Sequence, residues 1–239
     1  MLNLKNITLV CVATKEVKAS HKALKYSSKD INFEKILFLS NEEDPKDENI
    51  EHMKIKPFKS VAEWGKFIIF DLYKYIDTEF IILIHSDGFI VNPKSWKDSF
   101  LEYDYIGAPF PIPNDNKTYA DHKGNIIRVG NSVSLRSKKI LQLPTQLKLS
   151  WTKYDPTHLH EDGYLCVHIR HILEKHGINY APFKVACEFA RESSFDENRH
   201  LEPFAFHKWS GPNRNYPKFS KNDITLVRYT QKILRFLFS

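Results

Sequence analysis

Long apolar runs, paired cysteines and glycine-rich phosphate loops are all missing from this chain of 239 residues. No stretch of about 18 consecutive apolar residues exists, which excludes a membrane-spanning helix. The three cysteines, Cys11, Cys166 and Cys187, are odd in number, far apart and set among apolar neighbours. That pattern fits reduced, buried thiols in a cytoplasmic protein, and the lack of any Cys-x-x-Cys pair excludes a zinc ribbon. The first apolar stretch, "ITLVCVAT", has no basic leader before it, so it reads as a buried strand and not as a signal peptide. No internal repeat or low-complexity tract occurs. No glycine follows in "CVATKEVKAS", so the loop that would cradle a triphosphate in a nucleotidyltransferase is not there. No His-Glu-x-x-His exists either, and the close pairs His158/His160 and His168/His171 do not build a zinc hydrolase site.

What is present is an ordinary globular balance, 42% hydrophobic and 27% charged residues, with a formal net charge of +6. The charge favours anionic partners such as nucleotides, or else is only a soluble basic surface. The basic residues are spread along the chain with no nucleic-acid-binding module, so no nucleic-acid partner is expected.

The first half alternates short apolar runs with helical patterns, the mark of βαβ units and an α/β fold around a mixed, mainly parallel sheet flanked by helices. Strands are expected at 6–14, 33–40, in "MKIKPF", in "EFIILIHSDG" and in "YIGAPF". Ser60 and Glu63 form a capping box that opens a helix. Its stripe of Trp64, Phe67, Ile68, Leu72, Tyr75 and Ile76 is read as core. A helix is expected over 93–104, and another from Glu161 to Gly177. "RVGNSVSLRSKKILQL" reads as a strand, a glycine turn and a short helix. No linker separates two domains, so 1–239 is expected to be one domain. Its basic amphipathic tail either packs on that domain or lies on an anionic membrane.

Four places carry candidate chemistry. The apolar run Ile81–Ile84 ends in His85, Ser86, Asp87 and Gly88, at the strand end where open α/β sheets bind ligands. Asp87 there either meets a ligand or closes an Asx-turn on Gly88. Glu161 and Asp162 either cap a helix or accept a proton from a hydroxyl nucleophile. His207, among aromatics in "FAFHKW", is a core histidine or a ligand. Gly130 either makes a strand turn or lets a substrate approach the backbone.

Their order along the chain resembles the GT-A glycosyltransferases, over roughly residues 6 to 210, and is similar to a group of GT-A-like proteins linked to bacterial surface polysaccharides. The resemblance implies transfer of a sugar from a nucleotide-sugar donor to a glycan or lipid-linked acceptor. Residues 1–110 would be the nucleotide-binding half, 111–210 the acceptor and catalytic half, and 211–239 the tail. The family's Asp-x-Asp maps to His85-Ser86-Asp87, with the first carboxylate replaced. The resemblance implies that Asp87 and His207 hold Mn²⁺ or Mg²⁺, although a site in which Lys or Arg neutralises the diphosphate stays open. It further implies that Ala13, Thr14, His85, Ser86, Asp87, Gly88, Gly130, Asn131 and Ser132 bind the donor, and that Asp162, or else Glu161, is the base of an inverting reaction. The expected location is cytoplasmic, with the tail in peripheral contact with the membrane.

Overall fold

A computed structural model describes residues 1–115, 117–151 and 160–219, with the backbone alone at Ser132. His158 and the segment 224–238, with its expected membrane contact, lie outside the described residues. Among those residues, no helix is long and apolar enough to cross a membrane.

Six strands build the main sheet: β1 (Leu2–Ala13), β2 (Ile31–Ser40), β3 (Glu51–Lys54), β4 (Phe80–Ile84), β5 (Tyr105–Pro109) and β6 (Val129–Ser137). Their order is β3-β2-β1-β4-β6-β5; β6 pairs antiparallel with both β4 and β5, and the other pairs are parallel. The unbroken apolar run of β1 follows from burial on both faces. Leu9 and Cys11 enter a core shared with Ala23 and Leu24 of α1 (Val17–Ser27) and Phe189 of α6 (Phe183–Phe189). Val10 and Val12, one residue out of phase, enter a second core with Ile68 of α2 (Val61–Phe70) and Leu141 of α3 (Lys138–Gln146). β4 repeats the alternation, with Ile82 and Ile84 on one face and Ile81 and Leu83 on the other. All three cysteines are buried and free, as their apolar neighbours imply.

Leu83 is fully buried at the centre of this arrangement. Leu83→Ala is expected to lower unfolding stability by about 2–5 kcal/mol, read as a shift in the urea midpoint at unchanged slope.

Several local expectations are corrected. The helix over 93–104 is two 3₁₀ turns, Pro93–Ser95 and Asp98–Glu102. The indole of Trp96 between them packs edge-on against Phe100 and Phe204, at 5.4 and 5.2 Å, so tertiary packing interrupts the helix. Gly130 sits within β6, not in a turn after it. The capping box forms by half: Ser60 Oγ accepts from the Glu63 N–H, but Glu63 Oε2 accepts from Lys59 instead of Ser60. The helix expected over 161–177 is a single turn α4 (Glu161–Gly163), a π turn (Tyr164–His168) and α5 (Arg170–Lys175). The widened turn lets Tyr164, Leu165, Cys166, Val167 and Ile169 all be buried, more than one face of a regular helix accommodates. Gly177, at φ 75°, follows its end as expected.

Candidate active site

A cleft of about 290 Å³ opens at the carboxyl ends of β1 and β4. Ala13 and Thr14 from the end of β1, His85, Ser86 and Asp87 from the end of β4, Glu161 and His207 all line it. The Thr14 hydroxyl accepts the Phe58 N–H at 3.1 Å, and Trp64 Nε1 donates to the Val12 carbonyl at 2.9 Å. These two bonds tie the loop and helix after β3 to the end of β1, so Phe58 and Trp64 become cleft walls. Trp64, read from its spacing as core, is half-buried and faces the cleft.

Gly88 explains how His207 reaches this place. His85 and Gly88 pair their backbones in a tight turn, His85 N to Gly88 O at 2.7 Å. A Cβ on Gly88 would meet Val133 Cγ2 at 2.6 Å and His207 Cδ2 at 2.7 Å, so only glycine lets the imidazole pack against the turn. The Lys208 N–H then bonds the Asp87 carbonyl at 2.7 Å and fixes the crossing.

His207 lies between two carboxylates, with Nε2 at 3.6 Å from Asp87 Oδ1 and Nδ1 at 3.6 Å from Glu192 Oε2. Burial disfavours the imidazolium, but the two flanking charges outweigh it and raise the His207 pKa to about 10. Burial alone would raise Asp87; the His207 cation holds it well below the usual carboxylate range instead. His85 takes the opposite course. Burial and the nearby His207 charge push it down to about 4, so it is a neutral imidazole at physiological pH.

Asp87 and His207 present an oxygen and a nitrogen to one point of the cleft. The Nε2 of His85 is buried nearby with no hydrogen-bond partner, its ring centre 5.7 Å from that of His207. This donor set fits a divalent cation in part. Among the described residues no three His, Cys, Asp or Glu side chains gather into a complete metal site, so Asp87 and His207 would need oxygens from a substrate.

The expected catalytic pair divides. Glu161 is 1% exposed and ion-paired at 2.7 Å with Arg136, itself 0% exposed. Ser134 Oγ accepts from Arg136 Nε at 2.8 Å, and the guanidinium lies over the Tyr105 ring. Asp162 is half-buried, accepts the Gly163 N–H at 2.7 Å and is not among the residues lining the cleft. Burial, then the charges of Glu161 and Glu192, raise the Asp162 pKa to about 7.

Gly130 and Asn131 of β6 also lie apart from the cleft lining. A Cβ on Gly130 would meet the Phe110 ring at 2.0 Å, so this glycine makes room for the protein's own aromatic. Asn131, buried and at φ 82°, turns its amide to Glu192. The side chain of Ser132 lies outside the described part.

Glu16, Glu192 and Arg136 escaped the sequence reading. Glu16, in the left-handed region at φ 50°, accepts from Ser86 Oγ at 3.0 Å and lines the cleft. Glu192 sits in an unremarkable "ARESS", and Arg136 reads as an ordinary polar strand residue. The non-glycine left-handed residues Glu16 and Asn131 have no signature in a single sequence.

Comparison with solved structures finds the fold again. The crystal structure of the galactosyltransferase LgtC in complex with donor and acceptor sugar analogs aligns at a TM-score of 0.52 and 13% identity, over 86% of this chain and 87% of that one. The apo-form glycosyltransferase GlyE of Streptococcus pneumoniae TIGR4 aligns at 0.49 and 13% identity, over 99% of this chain and 63% of that one. The LgtC alignment makes the sheet the expected GT-A-like one. Comparison with curated protein sequences gives no match. A family profile matches residues 48–207, from the strand before Trp64 to the histidine beside Asp87, and the chain belongs to that family, described as "Protein of unknown function (DUF5672)".

Proposed function

We propose that the protein is a glycosyltransferase that moves a sugar from a nucleotide-sugar donor to a hydroxyl of a glycan or lipid-linked acceptor, with inversion, in the synthesis of cell-surface polysaccharide. The observation that carries this reading is the cleft at the carboxyl ends of β1 and β4, where Asp87 meets His207 on a GT-A-like sheet. Open α/β sheets bind nucleotides at this place. The LgtC structure, on the same fold, holds donor and acceptor sugar analogs, which supports the same two partners here.

In this reading Phe58 and Trp64 flank the nucleoside, and Ala13 and Thr14 meet its ribose at the end of β1. Asp87 and His207 would hold Mn²⁺ or Mg²⁺. Such a cation, when bound, would supply charge stabilisation to the departing diphosphate. Lys15, which also lines the cleft, adds a positive charge of the chain's own. The acceptor oxygen bonds to the anomeric carbon as the bond from that carbon to the diphosphate breaks. The acceptor proton passes to Asp162, which adjoins the cleft-lining Glu161 at the edge of the cleft and whose pKa near neutrality suits a general base.

Thermal unfolding against a panel of uridine, guanosine and thymidine diphosphate sugars, with and without Mn²⁺, tests the donor half. A true donor at about 100 times its Kd adds about 2.7 kcal/mol to stability. Asp87→Ala is expected to remove the part of that gain that depends on Mn²⁺. A flat response of the wild-type protein to every nucleotide sugar would end the reading.

A further inference from the structure

We infer that Glu192 is the positioning residue that holds His207 with Nε2 turned toward Asp87 and the cleft, a carboxylate–histidine support for a divalent cation. The inference rests on the donor-site reading above and adds a residue that reading does not use.

The short parallel ladder of β7 (Ala190–Arg191) and β8 (Ala205–Phe206) pairs Arg191 with Phe206. The next residue along each strand is Glu192 and His207, and the His207 N–H bonds the Arg191 carbonyl at 3.0 Å. The ladder thus sets carboxylate and imidazole side by side through backbone alone. Glu192 is itself held from two further directions, by the Lys208 ammonium and by the Asn131 amide. Asn131 is 2% exposed and keeps a left-handed backbone, and its carbonyl accepts from the buried Tyr105 hydroxyl at 2.5 Å.

A strained, buried asparagine and a mostly buried carboxylate are unfavourable unless the surroundings hold them in place. Here the chain runs from Tyr105 through Asn131 and Glu192 to Nδ1 of His207, and from Nε2 of His207 to Asp87. An imidazole whose Nδ1–H faces a carboxylate can take a cation at Nε2 once the proton on that nitrogen is released, and the cation then replaces that proton beside Asp87. Such outer carboxylates fix the ring and raise its basicity as a ligand.

The test is calorimetric titration with Mn²⁺ alone and with Mn²⁺ plus UDP or GDP, together with a melting curve for each variant. Glu192→Ala is expected to weaken Mn²⁺ binding by about 10- to 100-fold. Glu192→Gln, which keeps an oxygen facing Nδ1 but loses the charge that stands 3.6 Å from it, is expected to recover only part of that loss. A Glu192→Ala variant that melts lower but binds Mn²⁺ as the wild type does would show a merely structural carboxylate and overturn the inference. A wild-type protein with no affinity for Mn²⁺, with or without nucleotide, would overturn it too. In that case metal-free binding of a nucleotide sugar would leave the glycosyl-transfer reading intact.

Discussion

Asp162→Asn is expected to lower turnover by about 10²- to 10⁴-fold while leaving the affinity for the sugar nucleotide unchanged. The substitution keeps shape and keeps an oxygen to accept the Gly163 N–H, so it removes the basic lone pair and little else. In the wild type, burial and the Glu161 charge raise the Asp162 pKa to about 7, well above an ordinary carboxylate. A base must be deprotonated to act. The rate of the wild type is therefore expected to rise with pH through about 7 and then level, and the variant should lose that limb. The same shift has a stability counterpart of definite sign. Between about pH 4 and 7 the folded state binds the proton more tightly than the unfolded chain, so this group's contribution to stability declines as pH rises. Steady-state kinetics across pH, with donor affinity measured by calorimetry, check the first two statements, and urea unfolding over the same pH range checks the third. Unchanged turnover in Asp162→Asn would remove Asp162 from the mechanism.

Arg136→Met is expected to destabilise the fold by about 3–5 kcal/mol, because it leaves the Glu161 carboxylate buried without its guanidinium. Both partners are almost completely excluded from solvent, so water cannot replace the lost cation. Arg136→Met combined with Glu161→Leu removes both charges and should recover most of the loss, since a buried pair exchanged for apolar groups is often neutral. Urea unfolding of the two variants measures the difference. Equal destabilisation in the single and double variants would show that packing, not charge, is at stake. The pair also touches the chemistry. The Arg136 charge lowers the Asp162 pKa, so any folded Arg136→Met protein should show its pH limb displaced upward. Glu161, an alternate base on sequence grounds, is in this arrangement an anchor for the turn that carries Asp162.

Much of the fold was legible because burial leaves a period in the chain. The run Leu9–Ala13 of β1 and the whole of β4 are apolar since both sheet faces are covered there, and a single sequence records that directly. Ser60 and Gly177 mark helix ends through local chemistry, a hydroxyl cap and a left-handed residue, and both lie where expected. Local rules failed where a distant side chain intervened. Trp96 breaks the segment 93–104 because its indole packs on Phe204, more than 100 residues away. The π turn after Gly163 answers to the demands of a core assembled from several elements.

The candidate site divides in the same way. Residues at a strand end, His85 to Gly88, could be singled out because a polar group closing a buried strand is unusual wherever the strand lies. The chain alone therefore determined the sheet, its burial and the neighbourhood of the cleft, since these follow from hydrophobic periodicity and turn chemistry, which act over a few residues. The tertiary structure alone decided that His207 lies between Asp87 and Glu192, that Arg136 takes Glu161 as its partner, and that Trp64 faces the cleft. Those pairings join residues about 15 to 120 positions apart. Electrostatics and burial depend on distance in space, which no local pattern records.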